Sequence, residues 1–315
     1  MRGWWQDLTD LVLPAECGGC GTPRTVLCDG CRAALSGAVP RRVRPVPEPS
    51  GLPAVYAAAP YADEVRAALL AHKERGALAL AGTLGAALAG AVRAGLRDGF
   101  RDGPAGLRDG RTVRIVASWS RRAGGAGPDE PVLLVPVPSA PWAVRARGHD
   151  PVRRIALAAA AELRRAGVPA RVVPVLRQRR AVADQSELNA RQRYANLAGA
   201  LEVTAGGARL LAGGRVFLVD DLVTTGATLA EAARAVRETA GAEGAEGAER
   251  AGEARTAVYR RAAWEGREER KTGPAEERVK WGRNASVLAE VNGLVGPVRA
   301  AVVAAAPDSF EMNRN

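Results

Sequence analysis

Thirteen consecutive residues, Val216-Phe217-Leu218-Val219-Asp220-Asp221-Leu222-Val223-Thr224-Thr225-Gly226-Ala227-Thr228, restrict what this chain can fold into more than any other stretch. The apolar residues at its start read as a short buried strand over Arg215–Val219. That strand delivers two carboxylates at its C-terminal end, where open α/β sheets bind their ligands. A loop of hydroxyls and one glycine follows, leading directly into a helix expected over Thr228–Glu238. Gly226 lets the backbone approach a ligand closely. A helix N-terminus presents unpaired N–H groups and positive dipole density, which suits a phosphate. Carboxylates beside a phosphate cradle imply a ligand carrying both hydroxyls and a phosphate, that is, a ribose 5-phosphate.

Two rival readings of the segment are weaker. An apolar strand ending in Asp-Asp also fits the magnesium-binding strand of P-loop ATPases, but those need a Gly-Lys-Ser/Thr loop. The lysines here are Lys73, Lys271 and Lys280, and none follows a glycine. The other rival is structural, with Thr228 capping the helix and the aspartates solvated. It leaves the coincidence of acids, hydroxyls and glycine unexplained.

The surrounding pattern supports a parallel sheet. Val132–Val137 is a strand-length apolar run followed by a Pro/Ser turn, and Asp150-Pro151 opens a helix to about Arg165. Arg171–Leu176 is a second strand candidate, the polar, Arg-rich Gln178–Leu197 a mobile loop, and Val298–Ala305 a last strand. Strand, helix, strand, loop, strand, helix predicts right-handed βαβ connections. Before this unit, the pattern from Tyr61 to about Leu96 is helical, broken at Gly76, while Gly95–Gly110 and Arg121–Pro131 read as loops around a short strand at Val113–Trp119. Residues 41–53 are rich in Pro and Arg and read as a linker. Residues 241–297, with the repeat Gly241-Ala242-Glu243-Gly244-Ala245-Glu246, read as a disordered insertion in which Trp264 and Trp281 stand isolated among charges.

Cys17, Cys20, Cys28 and Cys31 are the four cysteines of the chain, two CxxC pairs separated by seven residues. Paired CxxC turns point thiolates at one tetrahedral Zn²⁺, and Gly18, Gly19 and Gly21 ease those turns. A structural disulfide is disfavoured in a reducing compartment, and a redox CxxC needs no second pair. Four cysteines leave no open coordination position, so the expected role is structural. Residues 1–40 are therefore expected to form an amphipathic helix (Trp4, Leu8, Leu11, Val12) and a zinc ribbon that has no core without its metal.

The net charge of +11 invites a nucleic-acid partner, yet the basic residues are nearly all arginine and spread along the chain. No charge-free run of about 18 apolar residues occurs, so no membrane span is expected. The first residues lack a secretory pattern, so a cytoplasmic location is expected.

These motifs together resemble the ComF family, in which a zinc ribbon precedes a type I phosphoribosyltransferase domain and which is associated with competence for DNA uptake. The resemblance rests on the two CxxC pairs, the 216–228 segment, Leu134-Val135-Pro136-Val137-Pro138, Arg145-Ala146-Arg147-Gly148, Gln185 with Leu188, Arg191, Arg193 and Asn196, and Gly199-Ala200. It implies a ligand, 5-phosphoribosyl-1-diphosphate (PRPP), and a phosphoribosyltransferase domain over 54–240 plus 298–306, with 54–97 as hood-like helices. By the same resemblance, Asp220 and Asp221 hold the ribose hydroxyls and help position Mg²⁺. Thr224, Thr225, Gly226, Ala227 and Thr228 wrap the 5′-phosphate. The turn at Ser139 receives the diphosphate with Arg145 or Arg147, and Arg191 and Arg193 lie on a catalytic lid. His149-Asp150 stands where the family more often has an aromatic residue followed by Asn, and a structural role is expected for His149. No dedicated general base is evident. Three roles stay open: transfer of phosphoribose to an acceptor the sequence does not name, a non-catalytic accessory contacting single-stranded DNA or a helicase, and a PRPP or nucleotide sensor.

Overall fold

The computed structural model describes residues 16–99, 130–180, 196–239 and 297–311. The expected N-terminal amphipathic helix, the strand at Val113–Trp119, the lid arginines Arg191 and Arg193, Gln185, Leu188, and nearly all of the 241–297 insertion lie outside them.

In chain order the elements are α1 (Asp29–Ser36), β1 (Arg41–Val43), β2 (Val55–Pro60), α2 (Asp63–Glu74), a 3₁₀ turn at Leu78–Leu80, and α3 (Ala81–Gly99). Then come β3 (Val132–Pro136), α4 (Pro141–Arg147), α5 (Pro151–Arg165), β4 (Ala170–Val172), β5 (Leu176–Gln178) and β6 (Leu201–Val203). The last are α6 (Gly207–Leu211), β7 (Arg215–Val223), α7 (residues 227–239), β8 (Arg299–Ala305) and α8 (Asp308–Glu311).

Six strands form one sheet in the order β1-β2-β8-β7-β3-β4, parallel except for the antiparallel edge strand β1. The chain leaves β3 for β4 on one side and returns to β7 on the other. The order therefore reverses at the β3–β7 boundary, and in open α/β sheets the strands' C-terminal ends at such a reversal form the ligand-binding crevice. Helices cover both faces. Phe217, Val219, Ala301 and Val303 face one layer built from α1, α2, α3 and α5. Val216, Leu218, Ala300 and Val302 face the other, with α6, α7 and the short ribbon β5–β6. The alternation is the two-residue pleat of a strand buried on both sides.

Small residues set how closely these layers meet. A Cβ on Gly85 of α3 would stand 2.4 Å from Ala158 Cβ of α5, and one on Gly95 would stand 2.8 Å from the Phe217 ring. Stretch 78–98 is apolar and long enough to resemble a membrane span, with a mean hydropathy of 1.4 in its window, but 61% of that window is buried. It packs as a core helix between α5 and the sheet.

Several sequence expectations change. The 41–53 linker contains β1, whose Arg41–Val43 pairs with Val55–Ala57. The stretch 54–60 is strand β2 inside the sheet rather than part of a helical hood. Helix α3 runs through Gly95 to Gly99 because Gly95 fits beneath Tyr56 and Phe217, so the expected loop begins later. The second strand splits into β4, which joins the sheet, and β5, which pairs antiparallel with β6. Strand β8 lies in the middle of the sheet, between β2 and β7.

Candidate functional site

Strand β7 does not stop at Val219. On its β8 side it pairs through Val223, whereas on its β3 side pairing ends at Pro136↔Val219. Asp220 and Asp221 therefore sit at the end of β3, with β8 still supporting them from the other side. The Val137 N–H donates to the Val219 carbonyl at 2.9 Å, so the turn Pro138-Ser139-Ala140 leaves the sheet directly beside the acid pair. Ser139 is half-buried there.

The two carboxylates are not equivalent. The pleat places Asp221 in the row of Phe217 and Val219, beneath α2, and Asp220 in the row of Val216 and Leu218. Asp221 is buried at 5% exposure, and its Oδ2 accepts a 2.8 Å hydrogen bond from Lys73 Nζ of α2. Asp220 turns its Oδ1 back onto the Asp221 N–H at 2.8 Å. Burial, followed by the neighbouring Asp221 charge, holds the Asp220 carboxyl well above the usual carboxylate range. Burial works to lower the Lys73 ammonium, but the Asp221 charge and hydrogen bond more than offset it, and the net shift is upward.

The loop after β7 has the expected construction with a shifted start. Gly226 adopts φ +75°, its carbonyl accepts the first helical bond from the Ala230 N–H at 2.9 Å, and α7 begins at 227. Thr228 therefore lies inside the first turn instead of capping it. Thr224 is exposed and Thr225 half-buried, and α7's first N–H groups follow at once. A Cβ on Gly226 would meet Pro45 and Leu52 at 3.1 Å, so the 45–52 segment forms the roof over this glycine.

The remaining candidates separate. Arg145 is exposed on α4, beside Trp142 at 62% exposure. Arg147 is taken by Glu74 of α2 in a two-pronged pair, Nε to Oε2 and Nη2 to Oε1, each 3.0 Å. His149 acts as a strut: Nδ1 lies 3.1 Å from the Arg147 carbonyl oxygen and Nε2 lies 3.3 Å from that of His72. Lys73 and Glu74 carry no motif in the sequence. The one trace of Lys73 is the scarcity of lysine in an arginine-biased chain.

The β5–β6 ribbon holds both ends of the 181–195 stretch and is tied to α7 through Glu231. Glu231, 5% exposed, accepts the Leu201 N–H at 3.0 Å and two bonds from Arg234. Burial raises its carboxyl, but the Arg234 hydrogen bonds and charge together with the Leu201 and Gly199 N–H groups outweigh burial and leave it below its usual range. A cavity of about 250 Å³ on this flank of α7 includes Arg234 and Arg237, but not the acid pair. Its arginines are already engaged, Arg234 by Glu231 and Glu238, and Arg237 by the Gly51 carbonyl.

The four cysteine sulfurs all lie within 4.8 Å of one another. Thiolates on a tetrahedral Zn²⁺ at about 2.3 Å are about 3.8 Å apart, so the cluster suits one such ion. Burial works to raise the Cys17 thiol, but the N–H groups of Cys20, Cys28 and Gly19 more than offset it and lower it to about 6. The Thr22 hydroxyl and N–H lower Cys20, whereas burial and the neighbouring sulfurs push Cys31 up. A divalent cation relieves that mutual repulsion, which makes these residues a fitting metal site. A Cβ on Gly19 would stand 2.6 Å from Cys31 Sγ, so this glycine is needed for the sulfurs to converge.

Fold and sites together define a mixed α/β protein: a mostly parallel sheet between helices, an acid pair at its reversal point, and a four-cysteine cluster that can hold a metal such as zinc. No family model, no curated protein and no solved structure matches the chain.

Proposed function

We propose that this protein binds PRPP at the β3–β7 crevice in the manner of a type I phosphoribosyltransferase. The observation that carries the reading is the acid pair at the C-terminal end of β7, running through Thr224–Thr228 into the N-terminus of α7. Asp220 and Asp221 are the carboxylates for the ribose hydroxyls. Thr224, Thr225, Gly226, Ala227 and Thr228 form the seat of the 5′-phosphate. The Ser139 turn, adjacent by register, receives the diphosphate.

The reaction assigned to the site is displacement at the ribose anomeric carbon. An acceptor nitrogen forms the new C–N bond, the C–O bond to diphosphate breaks with its electron pair, and the nitrogen's proton leaves to solvent. Mg²⁺ bound with the diphosphate would neutralise leaving-group charge, and the acid pair offers the hard oxygen donors it prefers. By the resemblance, Arg191 and Arg193, which lie outside the described residues, are assigned to a lid that excludes water. The four-cysteine ribbon is a structural zinc site in this reading, and the protein is cytoplasmic, where its thiols stay reduced.

The test is thermal unfolding with PRPP plus Mg²⁺ against PRPP plus EDTA. With ligand at a hundredfold excess over Kd, stabilisation of about 2.7 kcal/mol is expected in the magnesium arm. No shift in either arm removes the proposal. Diphosphate release with a panel of bases and amines then separates a transferase from a PRPP sensor.

A second reading, an accessory that contacts single-stranded DNA, is favoured by one feature. Exposed Trp142 precedes exposed Arg145 by one helical turn, offering a stacking ring beside a cation. Steeply salt-dependent DNA binding that survives loss of both aspartates supports that role.

A further inference from the structure

Three consecutive residues at the end of α2 each contact another element. The His72 carbonyl oxygen faces His149 Nε2, Lys73 bonds Asp221, and Glu74 holds Arg147. His72 and Glu74 join α2 to the turn between α4 and α5, and both contacts are sufficient as struts. Lys73 differs because its partner is a carboxylate assigned to the ligand.

We propose, building on the PRPP reading, that Lys73 is a substrate-binding residue that exchanges partners. It neutralises Asp221 in the free protein and contacts the diphosphate of PRPP once a divalent cation occupies the acid pair. Its side chain is 35% exposed and that of Asp221 is 7% exposed, so the pair is open to solvent on the lysine's side. An ammonium carries three donors on a flexible stem, and one of them is used here. A partly buried ion pair is weak support for a fold, because desolvation offsets much of its attraction. The charges also favour exchange. A divalent cation on Asp221 repels Lys73, while a diphosphate arriving with that cation attracts it. Arg147 is paired with Glu74, outside the acid pair, whereas Lys73 is the α2 residue already bonded to one of its carboxylates.

Exchange has a signature that a strut lacks: Lys73 competes with a divalent cation alone, yet assists PRPP. In Lys73→Met, calorimetric affinity for Mn²⁺ without PRPP is expected to rise about two- to fivefold, the range for removing one partly exposed ion pair. Affinity for PRPP with Mg²⁺ is expected to fall about ten- to a hundredfold, the range for one lost charge-assisted contact. Lys73→Gln, which can still donate to Asp221, guards against a folding defect and is expected to show the same opposed changes. PRPP affinity equal to wild type, or Mn²⁺ and PRPP affinities falling together in both variants, overturns the exchange. Failure of wild-type protein to bind PRPP instead overturns the pocket itself, and the exchange with it.

Discussion

In the proposed site, Asp220 carries a conflict between stability and binding that can be measured. Its carboxylate is desolvated beside a second acid, so its charged form opposes folding. Asp220→Asn is expected to raise the melting temperature of the free protein at neutral pH while abolishing the PRPP–Mg²⁺ shift. An unchanged ligand shift in that variant would remove Asp220 from the site. Glu231 behaves in the opposite sense. Its folded pKa is depressed, so its contribution is fully present above the unfolded value near about 4.3 and is lost as pH falls through the folded value. Glu231→Gln is expected to cost about 1–3 kcal/mol at neutral pH by weakening the bonds to Leu201 and Arg234. Urea melts from about pH 6 to pH 3 should show wild type losing its advantage over this variant.

At the level of elements, two glycines of α3 make a matched pair. At Gly85 an added methyl would collide with Ala158 and with the Ala159 backbone nitrogen at 2.8 Å, at the crossing with α5. Gly85→Ala is expected to destabilise by about 1–3 kcal/mol as the helices are forced apart. At Gly82 nothing lies within 4 Å of an added Cβ, so Gly82→Ala is expected to stabilise by about 0.5–1 kcal/mol through backbone entropy. Equal effects in chemical denaturation would show that the α3–α5 contact is looser than described. The crossing matters for the site because α5 begins at Pro151, just after the His149 strut.

Across the whole molecule, the ribbon and the sheet domain share one core. Cys17, Leu27, Cys31 and Leu35 pack in the cluster that contains Val65, Leu69, Leu80 and Leu84, and a Cβ on Gly18 would stand 2.7 Å from Leu80. About 20 residues cannot bury a core alone, so the ribbon borrows the one under α2 and α3. Metal removal is therefore expected to act on the crevice as well as on the ribbon. Chelation, or Cys31→Ser, should lower the melting temperature and weaken PRPP binding, since α2 carries Lys73 to Asp221. Melting of the ribbon with full PRPP affinity retained would separate the two.

Local patterns made much of this legible beforehand. The strand–acid–glycine–helix order over 216–228, the CxxC pairs, the Asp150 cap and the final strand near 298–305 depend on neighbours in sequence, and each recurs in the structure. Asp150, for instance, accepts the Arg153 N–H at 3.1 Å, as its position before Pro151 suggested. What depended on partners far along the chain was not readable. Val55–Pro60 becomes a strand because β8 lies beside it, and Arg41–Val43 because β2 does. Arg147 faces Glu74 instead of the crevice because α2 crosses there. The 216–228 segment by itself determined that two acids and a helix N-terminus would stand together. Only the tertiary structure decided which cation meets them, because Lys73 reaches Asp221 across 148 residues of sequence and a contact that distant leaves no local periodicity.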